Sequence, residues 1–491
     1  MSLEKFGRDE WVAQVDGRRA GPAGLIGRAR ARWDTIPLAY RFVGLVAAAA
    51  TVPLLTSSDY LVRVAGTVCL FATLAVGLNV VLGYAGLLDL GFVAFYGLGA
   101  YTYALLSSGK FNLHWPSWAS LLFIGGFSVV LGLLLGSPSL RLLGDYLAIV
   151  TLGFGQVFVQ LGVSGDRLPW FTGPVDVTGG SNGLINLDYL KFIGFELSSV
   201  THYYYLLLLW LAVILVVIYH LNQSRIGRAW RAMREDPLSA EAMGMPTKQL
   251  KLLAFACGAA IAGVTGGIFA AWQHSVFPNN FGIDTLVTLY AMVVLGGVGS
   301  LGGVVLGAGI LGIVPELLRS PELARVAFYG GLVLSVAVLV RPRRNALSLL
   351  AGVIGLGLVL KLIFQWIAPG LLSAPTLHVA AASVSTTFER VAQMFGVYVQ
   401  RWILWPIDPQ LAGNIAFPIL VPTLLGWTRL KPGRLKLILL APLLYLLAFV
   451  WETRLAAEPA ITRLLLIGAL LIMLMIFRPQ GLLGSRRVEI I

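Results

Sequence analysis

Few residues in this chain have a type and spacing that could do chemistry. His114, His202, His220, His274 and His378 are scattered, with no HExxH pair and no spacing that would set ligands around a metal. Cys69 and Cys257 lie in separate apolar segments and imply neither a disulfide framework nor a metal site. Gly297-x-Gly299-x-x-Gly302 satisfies the GxGxxG pattern, but no strand–turn–helix unit surrounds it and both flanks are apolar over membrane length. It reads as helix packing or a tight turn. No GxxxxGK loop followed by Ser or Thr occurs, so that device for cradling ATP phosphates is absent from the sequence. No nucleophile–base constellation stands out. No catalysis by this chain alone is expected, and no metal or cofactor of its own.

What does stand out is a polar segment near the middle, between apolar stretches 203–222 and 250–272. Arg225, Arg228, Arg231 and Arg234 recur every three residues, a spacing that predicts a cluster along one side of a short helix. Pro237 interrupts the run. A second short helix is expected from near Leu238 to Gly244, a residue free to take the left-handed geometry of a helix stop. Ala240 and Ala242 are small, so another protein could approach the backbone closely. A solvated basic loop is the plainer reading of the charge alone. The order helix, Pro, helix, Gly goes beyond it.

A second candidate lies earlier. Gly83, Gly86, Gly91, Gly97 and Gly99 make one apolar span lean and open to a break, and Asp89 stands inside it. Broken backbone in a bilayer is tolerated only beside protein or water, which points to a solute pathway lined near Gly86, Asp89, Gly91 and Gly97. A buried carboxylate there faces a cavity or marks a helix end. The alternative is a re-entry on the cytoplasmic side that leaves Asp89 solvated, with tight packing as the reason for the glycines. Ala259, Gly263, Gly267 and Ala271, and likewise Gly299, Gly303 and Gly307, form small-residue ridges at spacing four, suited to close helix crossings.

The elements that must position these residues are membrane spans. Of 491 residues, 57% are hydrophobic and 12% charged, against about 25% charged in an ordinary soluble domain. The net charge of +13 sits in short loops beside apolar spans, which fits anionic lipid headgroups and the positive-inside rule rather than nucleic acid. Apolar spans are expected near 40–57, 61–82, 84–106, 117–136, 145–164 and 203–222. Six crossings from a cytoplasmic N-terminus return the arginine-rich segment to the cytoplasm. Residues 1–39 read as a cytoplasmic tail with an interfacial helix near Leu25–Trp33, and no signal peptide is expected. The turn-rich stretch 165–202 faces the periplasm, either as a plain surface loop or as a landing site for a delivering protein.

GRAWRAMREDPLSAEAMGMPTKQLKLLAF resembles the cytoplasmic coupling loop of LivM-type permeases, membrane subunits of branched-chain amino acid ABC importers. The stretches 77–106, 144–161, 293–319 and 465–484 resemble the same family in the same order. The resemblance implies an all-α transmembrane bundle of the inner (cytoplasmic) membrane that uses alternating access. It also implies partners: a LivH-like second permease subunit, two ATP-binding subunits that use the ATP, and a periplasmic amino-acid-binding protein. The ATPase-docking residues would then be Gly227, Arg228, Arg231, Arg234, Glu235, Asp236, Ala240, Glu241, Ala242 and Gly244, within a coupling loop at 223–250. A permease for urea, short amides or other small polar solutes is the near alternative. An ATPase-independent secondary transporter is the distant one, and intramembrane charges for ion coupling are few.

The expected layout is a tail at 1–39, a core permease at 40–320, inserted spans at 321–458, and a terminal span with a cytoplasmic tail at 459–491. Segments 321–345 and 459–483 are loose copies, each with Pro, Arg, an apolar span and Arg-Pro. Between them, 369–413 carries Phe388, Val391, Met394, Phe395 and Val399 at helical spacing, suited to lying on the outer membrane surface. The total is about 14 spans, with both termini cytoplasmic.

Overall fold

The computed structural model describes residues 38–483, apart from 57, 109–112, 140–144, 167, 171–172, 193, 318–320, 340–342, 369, 371, 373–386, 431–432, 458–467 and 469–480. The helix expected at Leu25–Trp33, the terminal span and the C-terminal tail lie outside the described residues.

The fold is all-α. Helices α1 (Leu38–Ala50) and α2 (Val52–Leu55) precede α3 (Asp59–Asn79), which runs on into a π-helical turn, Val80–Tyr84. Next come α4 (Phe92–Ser107), α5 (Ser117–Ser139), α6 (Asp145–Ser164) and α7 (Val200–Gln223). Two short helices, α8 (Arg225–Glu235) and α9 (Pro237–Ala242), lead to α10 (Thr247–Gln273), α11 (Ile283–Gly296) and α12 (Leu301–Leu317). A further group follows: α13 (Pro321–Leu339), α14 (Arg343–Ile367), α15 (Thr387–Trp402), α16 (Pro409–Arg429) and α17 (Arg434–Ala457). Among the described residues, seven helices are long and apolar enough to cross a bilayer, and shorter apolar helices accompany them. The chain is a multi-pass membrane protein.

Small residues set the packing of α10 at the centre. Where lipid removes the hydrophobic drive between helices, close backbone approach is what remains. The predicted ridge on α10 meets α5. A Cβ on Gly267 would lie 2.9 Å from Ile124, and one on Gly132 would lie 2.8 Å from Ala259. The opposite side of α10 takes α4, where Gly99 crosses the Gly263 backbone and Gly266 the Tyr96 carbonyl. The second ridge is shorter than its spacing suggested. Gly303 and Gly307 pack on α11 against Gly296 and Met292, but Gly299 precedes α12 and sits in the turn, with φ 90°.

Among the described residues, strands form only two-stranded pairings, at the other end of the bundle from α8 and α9. Leu184–Ile185 pairs antiparallel with Ser275–Val276, which stitches the 165–199 loop to the α10–α11 connection. The α13–α17 group holds a buried ion pair, Arg325 Nε to Glu452 Oε2 at 2.9 Å, and Phe328 stacked on Trp451 with ring centroids 4.3 Å apart. The apolar stripe expected to lie on a membrane surface is partly taken up by protein. Val399 on α15 is buried in one cluster with Tyr329, Ile403 and Ala448, because α13 and α17 present a matching face.

Candidate coupling site

Local sequence builds α8 and α9 as a compact hairpin. The Ser224 hydroxyl accepts the Ile226 amide at 3.2 Å and caps α8. Gly227 must lack a side chain, since a Cβ would run into the Asn222 backbone of the tight α7–α8 corner. Trp230 and Met233 are each 1% exposed, and the Trp230 indole N–H donates to the Leu250 carbonyl at 2.8 Å, anchoring α8 on α10. Pro237 occupies the first turn of α9, where its missing N–H costs nothing. Asp236 caps that helix by accepting the Leu238 and Ser239 amides at 2.9 and 3.1 Å. The Ser239 hydroxyl and amide, with the Leu238 amide, hold the Asp236 carboxyl below its usual range. Gly244, at φ 80°, ends the unit in the left-handed geometry expected of it.

The exposed knob this makes carries Arg228, Arg231, Glu235, Asp236, Glu241, Ala242 and Gly244. It also carries two apolar side chains that charge-based reading passed over, Leu238 at 78% and Met243 at 80% exposure. Their only sequence signal is being apolar at the tip of a polar loop. Three predicted docking residues do not belong to the outer face. Gly227 and Ala240 are buried and serve the knob's own packing. Arg234 turns inward, because a repeat of three in a helix of about 3.6 residues per turn drifts, and nine residues from Arg225 amount to about half a rotation.

Inward of Arg234 lies the break in the lean span. The helix expected at 84–106 begins only at Phe92, and α4 has 16 residues, about 24 Å against a hydrocarbon core of about 30 Å. Non-helical backbone at 85–91 precedes α4, and protein supplies partners for several of its polar groups. The Leu90 amide donates to Thr151 Oγ1 at 2.9 Å, the Gly91 amide to Asp89 Oδ1 at 2.9 Å, and Tyr290 OH to the Asp89 carbonyl at 2.7 Å. Asp89 is 1% exposed rather than solvated, and it lies just before the start of α4, where its Oδ1 accepts the Gly91 amide. Gly91 lies against the Thr151 carbonyl. Gly86, at φ 71°, lies against the Arg234 side chain. Gly97 fits among Phe158 and Phe281 and is a packing glycine. Asn79, buried in α3 and unremarked in sequence, accepts the Gly299 amide at 2.8 Å and ties this span to the α11–α12 turn. That turn is the GxGxxG segment, a tight connection as expected, with Gly297 at φ 113°.

The model of a family described as branched-chain amino acid transport system / permease component matches residues 60–340. The chain belongs to this family. It is 36% identical over 300 residues to the high-affinity branched-chain amino acid transport system permease protein LivM of Salmonella typhimurium strain LT2, covering 56% of this chain and 68% of that protein. LivM of Escherichia coli K12 is 35% identical over the same length and shares. LivH of Escherichia coli K12 is 35% identical over 104 residues, 21% of this chain and 33% of its own length. No solved structure matches. The family match takes in both the α8–α9 knob and the break at 85–91, and extends through α13.

Proposed function

We propose that this permease carries branched-chain amino acids across the bacterial inner membrane as one subunit of an ABC importer, by alternating access. Similarity to LivM across the core supports the substrate class, and the α8–α9 knob supports the drive. Its uncovered apolar tip, Leu238 and Met243 beside Glu235, Asp236 and Glu241, suits a cleft on an ATP-binding subunit. Two such subunits use the ATP, a LivH-like permease completes the pore, and a periplasmic binding protein delivers the solute. The chain itself holds no nucleotide. Its layout is a core at 40–320, inserted spans at 321–458 and a terminal span at 459–491, about 14 crossings in all with both termini cytoplasmic. The pathway runs beside the break, near Gly86, Asp89 and Gly91.

The test is reconstitution of the chain with these partners in lipid vesicles. Labelled leucine should enter only with ATP and loaded binding protein, with isoleucine and valine competing and urea not. The purified chain alone should hydrolyse no ATP. Leucine uptake without the ATP-binding subunits, or hydrolysis by the pure chain, would refute the reading.

A further inference from the structure

We infer that Arg234 is the pin that transmits movement of the coupling knob to the broken span, rather than a contact for the ATPase. The inference rests on the importer reading above, and three observations carry it. First, Arg234 sits in the last turn of α8, one turn beyond Trp230 on the same inward face that anchors α8 to α10, and its guanidinium leaves the knob and donates through Nη1 to the Gly83 carbonyl. That carbonyl belongs to the π turn ending α3, whose last carbonyls have lost their intrahelical donors, so a cation from another element supplies the cap and complements the dipole. Second, the pocket is shaped for this side chain. A Cβ on Gly86 would lie 2.8 Å from Arg234 Cγ, and a Cβ on Gly299 would lie 2.8 Å from Nη1. Third, the residues it touches lie where the backbone departs from regular α-helix. Gly83 and Gly86 flank the start of the non-helical backbone, and Gly299 lies in the α11–α12 turn, which Asn79 ties to the same span. Arg234 therefore bonds the knob to α3 through the Gly83 carbonyl, packs its side-chain stem against Gly86 at the break, and sets its guanidinium beside Gly299 in the α11–α12 turn.

The test uses the reconstituted complex with leucine, comparing Arg234→Met and Arg234→Lys with the parent chain. Arg234→Met should still co-purify the ATP-binding subunits and hydrolyse ATP, while leucine taken up per ATP falls by about tenfold. Arg234→Lys should recover a substantial part, since an ammonium can still reach a carbonyl. A second readout needs no solute. With Cys69 and Cys257 replaced by Ala, Leu88→Cys in the break should change its maleimide reactivity on ATP addition, and Arg234→Met should abolish that change. Unchanged uptake per ATP with an unchanged Leu88→Cys response would overturn the pin. So would loss of ATPase co-purification in Arg234→Met, which would make Arg234 a docking residue. Failure of the parent complex to move leucine would count against the importer reading alone, and the maleimide response would still decide the role of Arg234.

Discussion

Truncating Trp230 should loosen the coupling knob without disturbing the bundle. The indole is 1% exposed and its N–H donates to the Leu250 carbonyl at 2.8 Å, so Trp230→Ala removes both a hydrogen bond and the largest side chain between α8 and α10. Large-to-small changes of a buried Trp cost about 3–5 kcal/mol. Because α8 lies at one end of the bundle, that cost falls on local opening of the knob rather than on the spans. At about 1.4 kcal/mol per factor of ten, the opened population rises by about 100- to 4,000-fold. Trypsin reads this directly, since Arg228 and Arg231 are exposed but held in helix, and cleavage follows the opened population when reclosing is fast. Trp230→Phe keeps most of the ring and loses the N–H, about 1 kcal/mol, so cleavage should rise about fivefold. If Trp230→Ala is cut within about threefold of the parent rate, α8 is held by other contacts and the anchoring role is wrong.

Gly244→Asp should weaken co-purification of the ATP-binding subunits while insertion is unaffected, since Gly244 is exposed at φ 80° and outside every span; full uptake and full co-purification would show that the knob does not dock there. Arg325→Ala should lower stability by about 3–5 kcal/mol, because it strands Glu452 at 0% exposure, and Arg325→Met with Glu452→Leu should restore most of it; thermal unfolding in detergent checks both, and an undisturbed Arg325→Ala would discount the pair. Deleting 321–458 and joining Ser320 to Pro459 should leave a chain that inserts and transports in part. The Arg325–Glu452 and Phe328–Trp451 contacts bring the two ends of that segment together, and on the proposed layout the cut removes an even number of spans. Uptake in the assembled complex with an accessibility label at the C-terminus tests it, and correct insertion with no transport would place the segment in the pathway or a subunit interface.

Much of the coupling element was legible because it is local. Pro237 between two runs and Gly244 at a stop each act within a few residues, so their order specifies two short helices and a sharp end, while the capping by Ser224 and Asp236 emerges only in the structure. The membrane character was legible for a similar reason, since about 20 apolar residues in a row need no partner to be recognised. Regular spacing misled where it was close to the helical period without matching it. Four arginines three apart looked like one stripe, and drift carried the last of them to the far side of α8. Small size at Ala240 is equally useful at an interface and inside a corner, and Gly227 enters the docking set only through the family resemblance; only the tertiary packing, Asn222 for Gly227, shows that both are buried.

By itself, then, the sequence determined the all-α membrane bundle, the family to which it belongs and the existence of a helix–Pro–helix–Gly unit. The bundle and the unit follow from composition, length and short-range backbone chemistry, and the family from the resemblance of several ordered stretches. Tertiary structure decided where the lean span breaks, that Asp89 is buried at the start of α4, and that Arg234 faces inward. Each of these depends on a donor or acceptor far away in the chain: Thr151 for Leu90, Tyr290 for Asp89, and the Gly83 carbonyl for Arg234. A polar group inside a membrane goes where its hydrogen bond is satisfied, and in this chain that partner lies on another helix.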